Sequence, residues 1–127
     1  DDFGNLINPM LAEGQVHGGV VQGIGQALSE HVVFDEEGQL LTATFMDYGL
    51  PRAGDMPMIG FTPEPVPSTA NLMGMKGCGE AGTVGSMAAV SNAVQDALWD
   101  AGVRQADMPF TPLRVWDMLN DGAGAAS

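Results

Sequence analysis

Between Glu13 and about His31, Val16, Val20, Ile24 and Leu28 recur at every fourth position, with Gly18, Gly19, Gly23 and Gly25 set among them. The first pattern is that of a helix with one apolar stripe. The second opposes it, because each interior glycine costs roughly 1 kcal/mol of helix propensity relative to alanine. A helix here therefore needs compensation, and the usual form is close approach of another backbone or of a ligand to a surface lacking Cβ atoms. Gln15, Gln22 and Gln26, with Gly18 or Gly19, fall on another face at helical spacing. Gly23-Ile24-Gly25-Gln26-Ala27-Leu28 has two glycines of a dinucleotide fingerprint. Leu28 replaces the third, and no strand leads directly into the segment, so the match is weak.

The rest of the chain reads as a mixed α+β unit. Val32-Val33-Phe34, an acidic turn at Asp35-Glu36-Glu37-Gly38, and Gln39 to Phe45 predict a β-hairpin. Tyr48 to Pro57 reads as loop, and Ile59-Gly60-Phe61 begins another extended piece. Alternating Pro63, Pro65 and Pro67 suit an edge strand or a polyproline-like run and exclude a central strand. Met87, Val90, Val94 and Leu98 mark a helix to about Asp100, capped by Thr83 or Ser86 and ended by Gly102. Thr111-Pro112 opens a short amphipathic helix through Leu113, Trp116 and Leu119. Residues 1–120 are thus read as one segment and 121–127 as a flexible tail. Helices packed on a small mixed sheet are the expectation.

Lys76-Gly77-Cys78-Gly79-Glu80-Ala81-Gly82-Thr83 places one carboxylate among small residues just before a helix. Glycines allow backbone to approach a ligand, and a carboxylate desolvated at a cavity wall suits general-base work. The plainer alternative is a tight turn with a Glu at a helix N-terminus, where the dipole favours it. Cys78 in its Gly-Cys-Gly setting suggests a reactive thiol, but no His-plus-Asn arrangement supports one. His17 and His31 are read as polar packing residues, and no acidic or His cluster has metal-ligand spacing.

Composition limits the partners. Sixteen acidic and four basic residues give a formal charge of −12, which repels nucleic acid and anionic membranes. With 127 residues, 45% of them hydrophobic, the chain can form one modest domain. One cysteine excludes an internal disulfide. Neither a signal sequence nor a membrane-length apolar run is visible, so a cytoplasmic location is expected. Asp1-Asp2-Phe3-Gly4 reads like the middle of a structured segment, which suggests a piece of a longer protein.

Gly14-Gln15-Val16-His17-Gly18-Gly19-Val20-Val21-Gln22-Gly23-Ile24-Gly25-Gln26-Ala27-Leu28 is the second long motif. It is preceded by Asn8-Pro9-Met10 and followed by Met46-Asp47-Tyr48, the Lys76–Thr83 loop, Met108-Pro109-Phe110-Thr111-Pro112 and Val115-Trp116. In this order and separation the motifs closely resemble the molybdenum hydroxylase superfamily, which includes xanthine dehydrogenase, aldehyde oxidase and the aerobic carbon monoxide dehydrogenases. The likeness covers nearly the whole chain. It is to the C-terminal part of the molybdopterin-binding large subunit, nearest the carbon monoxide dehydrogenase-like branch.

The resemblance implies an oxidoreductase using molybdenum-molybdopterin, in its cytosine dinucleotide form, with 2Fe-2S and FAD centres on partner domains or subunits. It implies that Glu80 is the base that activates a molybdenum-bound hydroxyl, and that Gln15 lies against the pterin. Gly77, Cys78 and Gly79 would turn backbone N–H groups toward the cofactor, and no residue of this chain would bind the metal directly. Lys76 would either balance cofactor phosphate charge or point to solvent. The remainder of the large subunit, iron–sulfur and flavin subunits and a small-molecule substrate are the implied partners. The substrate would be CO, an aldehyde or a heterocycle. The copper-bridging cysteine of true carbon monoxide dehydrogenases belongs to an upstream loop not in this chain. The alternative is a truncated, non-catalytic lobe that only packs against a partner.

Overall fold

The computed structural model describes residues 1–124. Its elements are three helices: α1 over Pro9–Leu28, α2 over Ala81–Trp99 and α3 over Pro112–Gly124, with one 3-10 turn at Ala53–Asp55. Of the tail 121–127, the last three residues lie outside the described part.

α1 begins four residues before the predicted start, for a local reason. Asn8 Oδ1 accepts the Leu11 N–H at 3.1 Å, and Pro9 follows in the first turn, a cap and a pre-set φ that together nucleate a helix. Its buried positions are Ala12, Val16, Gly19, Gly23, Gly25 and Ala27. The seam is therefore the small-residue face. Of the predicted stripe only Val16 is buried, while Val20, Ile24 and Leu28 flank the contact half-exposed.

α2 crosses α1 on that face. A Cβ on Gly23 would fall 2.0 Å from Ser86 Oγ, and one on Gly19 would fall 3.1 Å from the Thr83 nitrogen. One on Gly82 would fall 2.5 Å from the Val16 carbonyl oxygen. The compensation required by the glycines of α1 is thus, at Gly19 and Gly23, the backbone of a second helix.

α2 stops as predicted. Gly102 adopts φ +90°, its N–H bonds Trp99 O at 3.0 Å, and the Val103 N–H reaches Leu98 O at 3.1 Å. This is a Schellman end, with Leu98 and Val103 making the buried apolar pair that accompanies it. α3 starts at Pro112, as the Thr-Pro signal implies. A backbone bond from the Phe110 N–H to Ala27 O, 2.7 Å, ties the segment before α3 to the end of α1, and both residues are buried.

The expected mixed sheet does not form among the described residues, where only two isolated antiparallel bridges occur: Gly4 with Met75 and Phe34 with Leu40. The acidic turn is present. Asp35 Oδ1 accepts N–H groups from Glu37 and Gln39 at 3.1 and 2.7 Å. Beyond it, Val33 O still accepts the Leu41 N–H at 2.8 Å, but the Val33 N–H goes to the Thr42 side chain and the pairing ends there; a lone pair of extended segments is marginal without further strands. The proline-rich run likewise joins no ladder. Its Val66 N–H bonds Asp2 Oδ1 at 2.8 Å, and Phe61 stacks on Phe3 with ring centres 6.3 Å apart.

The apolar core is small: Phe3, Ala12, Val16, Ala27, Leu98, Val103 and Phe110. Large apolar side chains such as Met46, Met58 and Leu72 are almost wholly exposed. Among the described residues no helix is long and apolar enough to cross a membrane.

Candidate functional site

The loop of residues 76–80 leaves the bridge at Met75 and runs into the first turn of α2. Glu80 sits at the N-cap position with φ −117° and ψ 15°. Its carbonyl accepts N–H groups from Thr83 and Val84 at 3.0 and 3.2 Å. Its carboxylate does not cap the helix, is exposed, and enters no ion pair among the described residues. The predicted caps have other duties. Thr83 Oγ1 donates to Gly19 O of α1 at 3.0 Å and lies 3.2 Å from Gln22 Oε1. Ser86 Oγ bonds Thr83 O.

Gln15 reaches the same loop from α1, its Nε2 donating to Gly79 O at 3.3 Å. Gly77 and Gly79 have open space on their Cβ sides, with nothing within 4 Å. Neither has a positive φ. From Gly77 to Gly82, no backbone N–H donates to a protein acceptor among the described residues. The N–H groups of the first turn of α2 have no carbonyl of a preceding turn to bond, and the helix dipole adds positive potential at this end.

Lys76 is engaged by Asp2, with which it forms an ion pair. The Lys76 ammonium, then the backbone N–H groups of Val66 and Gly4, hold the Asp2 carboxyl down at about 2. Nothing local in the sequence announces this pairing. Cys78 is a free, half-buried thiol. It lines a cleft of about 450 Å³ with Gln15, Lys76, Asn8, Leu11 and Phe3. The structure thus gathers Gln15, Lys76 and Cys78 on one cleft and sets Gly77, Gly79 and Glu80 on the adjoining outer face.

A larger cavity, about 540 Å³, lies elsewhere, between Ser29, Phe45, Tyr48, Pro51 and Arg52. Beside it, partial burial and then the Glu30 carboxylate push the Tyr48 hydroxyl above its ordinary range. It holds none of the predicted site residues. Among the described residues no group of three or more His, Cys, Asp or Glu is placed to hold a metal. His17 pairs loosely with Glu13, at 3.8 Å, on α1. A donor set of backbone N–H groups and one amide, with no cluster of metal ligands among the described residues, fits a large polar group gripped through its own heteroatoms and phosphates.

The family model described as the molybdopterin cofactor-binding domain matches residues 1–57. The carbon monoxide dehydrogenase large chain of Hydrogenophaga pseudoflava is 42% identical over 121 residues, 95% of this chain and 15% of the relative. The nicotine 6-hydroxylase large subunit of Paenarthrobacter nicotinovorans is 43% identical over 115 residues, 91% of this chain and 14% of the relative. The crystal structure of quinoline 2-oxidoreductase from Pseudomonas putida 86 superimposes with a TM-score of 0.88 at 42% identity. That match covers 94% of this chain and 15% of that one. The chain belongs to the molybdenum hydroxylase family and corresponds to part of its large subunit. It spans about 15% of the length of the curated relatives it matches.

Proposed function

We propose that this chain forms part of a molybdopterin-dependent oxidoreductase, supplying one wall of the cofactor pocket and the catalytic base Glu80. The observation that carries the reading is the run Gly77–Glu80, with its unused backbone donors and the open faces of Gly77 and Gly79, beside the Gln15 amide. Gln15, with its remaining donor and acceptor capacity, would hold the pterin edge, and the N–H groups of Gly77, Cys78 and Gly79 would hold its oxygens. Lys76 would meet a cofactor phosphate only by exchanging its Asp2 partner.

When bound, the cofactor supplies the two-electron oxidation. Glu80 accepts the proton: its carboxylate is unpaired, and its backbone is fixed at a helix start, which is what a base aimed at one proton requires. The cytosine dinucleotide form, 2Fe-2S and FAD centres on partner subunits, and a cytoplasmic setting complete the proposal. The names of the relatives span carbon monoxide, nicotine and quinoline, so the substrate class proposed is a small oxidisable carbon centre, with aldehydes and heterocycles included.

Glu80→Gln in the molybdenum-loaded enzyme tests the reading. Turnover should fall by about 10²–10⁴-fold while molybdenum per chain is unchanged. Retained turnover removes Glu80 from the base role. The exposed Met46, Met58 and Leu72 favour a surface covered by the remainder of a larger subunit. They are equally what a non-catalytic packing lobe would present. Molybdenum content of the assembled subunit separates the two.

A further inference from the structure

We infer that Thr83 is a positioning residue for Glu80, forming with Gln15 a reciprocal clamp between α1 and the loop. The inference rests on Glu80 being the base. Two hydrogen bonds of opposite direction straddle that residue. One residue before it, Gly79 O accepts from the Gln15 side chain of α1 at 3.3 Å. Three residues after it, Thr83 Oγ1 donates to the α1 backbone at Gly19 O, 3.0 Å.

Glu80 needs such anchoring. Its backbone at φ −117°, ψ 15° is neither helical nor extended, and its side chain makes no cap bond that would fix it. Beneath it, Gly82 rests on the Val16 carbonyl and Val20 nitrogen. That contact sets how close α2 approaches but, having no directional bond, does not set its rotation. The Thr83 hydroxyl does. It has one proton, which Gly19 O takes at the shorter distance. The Gln22 amide 3.2 Å away can rotate to donate into the remaining lone pair. Because Thr83 N–H also holds the Glu80 carbonyl at 3.0 Å, the residue gripping α1 is hydrogen-bonded to the base itself. Gln15 and Glu80 are thereby referenced to one rigid helix.

The test is Thr83→Val, which keeps the branched shape and removes the donor, with Thr83→Ser as the rescue and Glu80→Gln in parallel. All are measured in the assembled, molybdenum-loaded enzyme containing this chain. For Thr83→Val we expect kcat to fall about ten- to a hundredfold, the scale of an ångström-sized misplacement, with KM and molybdenum content unchanged. Thr83→Ser should restore kcat. In cofactor-free protein, exchange of the Thr83 and Val84 amide hydrogens, both bonded to Glu80 O, should speed up in Thr83→Val and return to normal in Thr83→Ser. Unchanged kcat in Thr83→Val, or a fall accompanied by molybdenum loss that Ser does not repair, overturns the clamp while leaving Glu80 as base. Full turnover in Glu80→Gln overturns the base and the clamp with it.

Discussion

Gly82→Ala should destabilise the helix pair, whereas Gly85→Ala, one turn further along α2, should not. A Cβ at position 82 would lie 2.5 Å from Val16 O and 2.7 Å from Val20 N. Both are backbone atoms of α1, so no side chain can rotate away. Restoring an ordinary contact parts the helices by roughly 1 Å, and a gap of that size forfeits about a quarter to a half of the dispersion attraction across the seam. Overpacking of this kind costs about 1–3 kcal/mol, and rigid backbone on both sides puts Gly82 near the upper end. The better helix propensity of alanine returns at most about 1 kcal/mol, leaving a net loss of about 2 kcal/mol. At Gly85 nothing lies within 4 Å of the added methyl, so only the propensity gain remains, up to about 1 kcal/mol. Urea unfolding followed by tryptophan fluorescence reads both. With a slope of about 2 kcal/mol per molar, the Gly82→Ala midpoint should drop by about 1 M and the Gly85→Ala midpoint should hold or rise. Equal midpoints for the two variants would refute the close-contact seam.

Gly102→Ala places a Cβ on a residue at φ +90° and should cost about 1–2 kcal/mol, visible in the same urea titration. A smaller loss would mean that the Schellman end relaxes without cost. Asp2 gives a pH dependence. Its carboxyl is lowered from 3.8 to about 2 in the folded chain, so its contribution is complete above the unfolded value and is lost as pH falls through the folded one. The effect is small, because the pair with Lys76 is solvent-exposed and screened. Asp2→Asn should flatten the acid limb of stability between pH 4 and 2 and meet the parent curve below it. Parallel curves throughout that window would show that Asp2 does not titrate with folding.

The sequence was most legible where one residue carries the whole signal. Gly102 ended α2 and Thr111-Pro112 opened α3 because positive φ and a missing N–H are properties of single residues. It was less legible where the outcome depends on a partner. The stripe Val16, Val20, Ile24 and Leu28 has the right period, but all of it except Val16 flanks the seam, since the closest helix approach is through the glycines one position aside. Thr83 looks like a cap from its neighbours, yet its hydroxyl bonds Gly19, 64 positions earlier in the chain. The pairing of Lys76 with Asp2 has no local signature either. The sheet expected from residues 32–45 and 59–67 failed for a similar reason: alternation and turn chemistry specify a bend, while a ladder also needs a neighbouring strand, and none is present among the described residues.

The glycines divide by what constrains them. Gly19, Gly23 and Gly82 are required by α1 packing on α2, and Gly102 by its φ. Gly77 and Gly79 satisfy neither condition: their Cβ sides are empty and their φ values are ones that any residue adopts. Nothing inside this chain needs them. Gly14, Gly18 and Gly85 are open in the same way, so openness alone marks no site; a ligand at residues 77–79 would demand both that bare backbone and the N–H groups there, which have no acceptor among the described residues. A group carrying oxygens and ring heteroatoms, pressed against residues 77–79 within reach of Gln15, meets both demands together. This is why Gly77→Ala and Gly79→Ala should leave the urea midpoint of the chain unaltered, yet lower the molybdenum retained by the enzyme. If both variants keep full molybdenum, the bare backbone of this loop has no part in holding the cofactor.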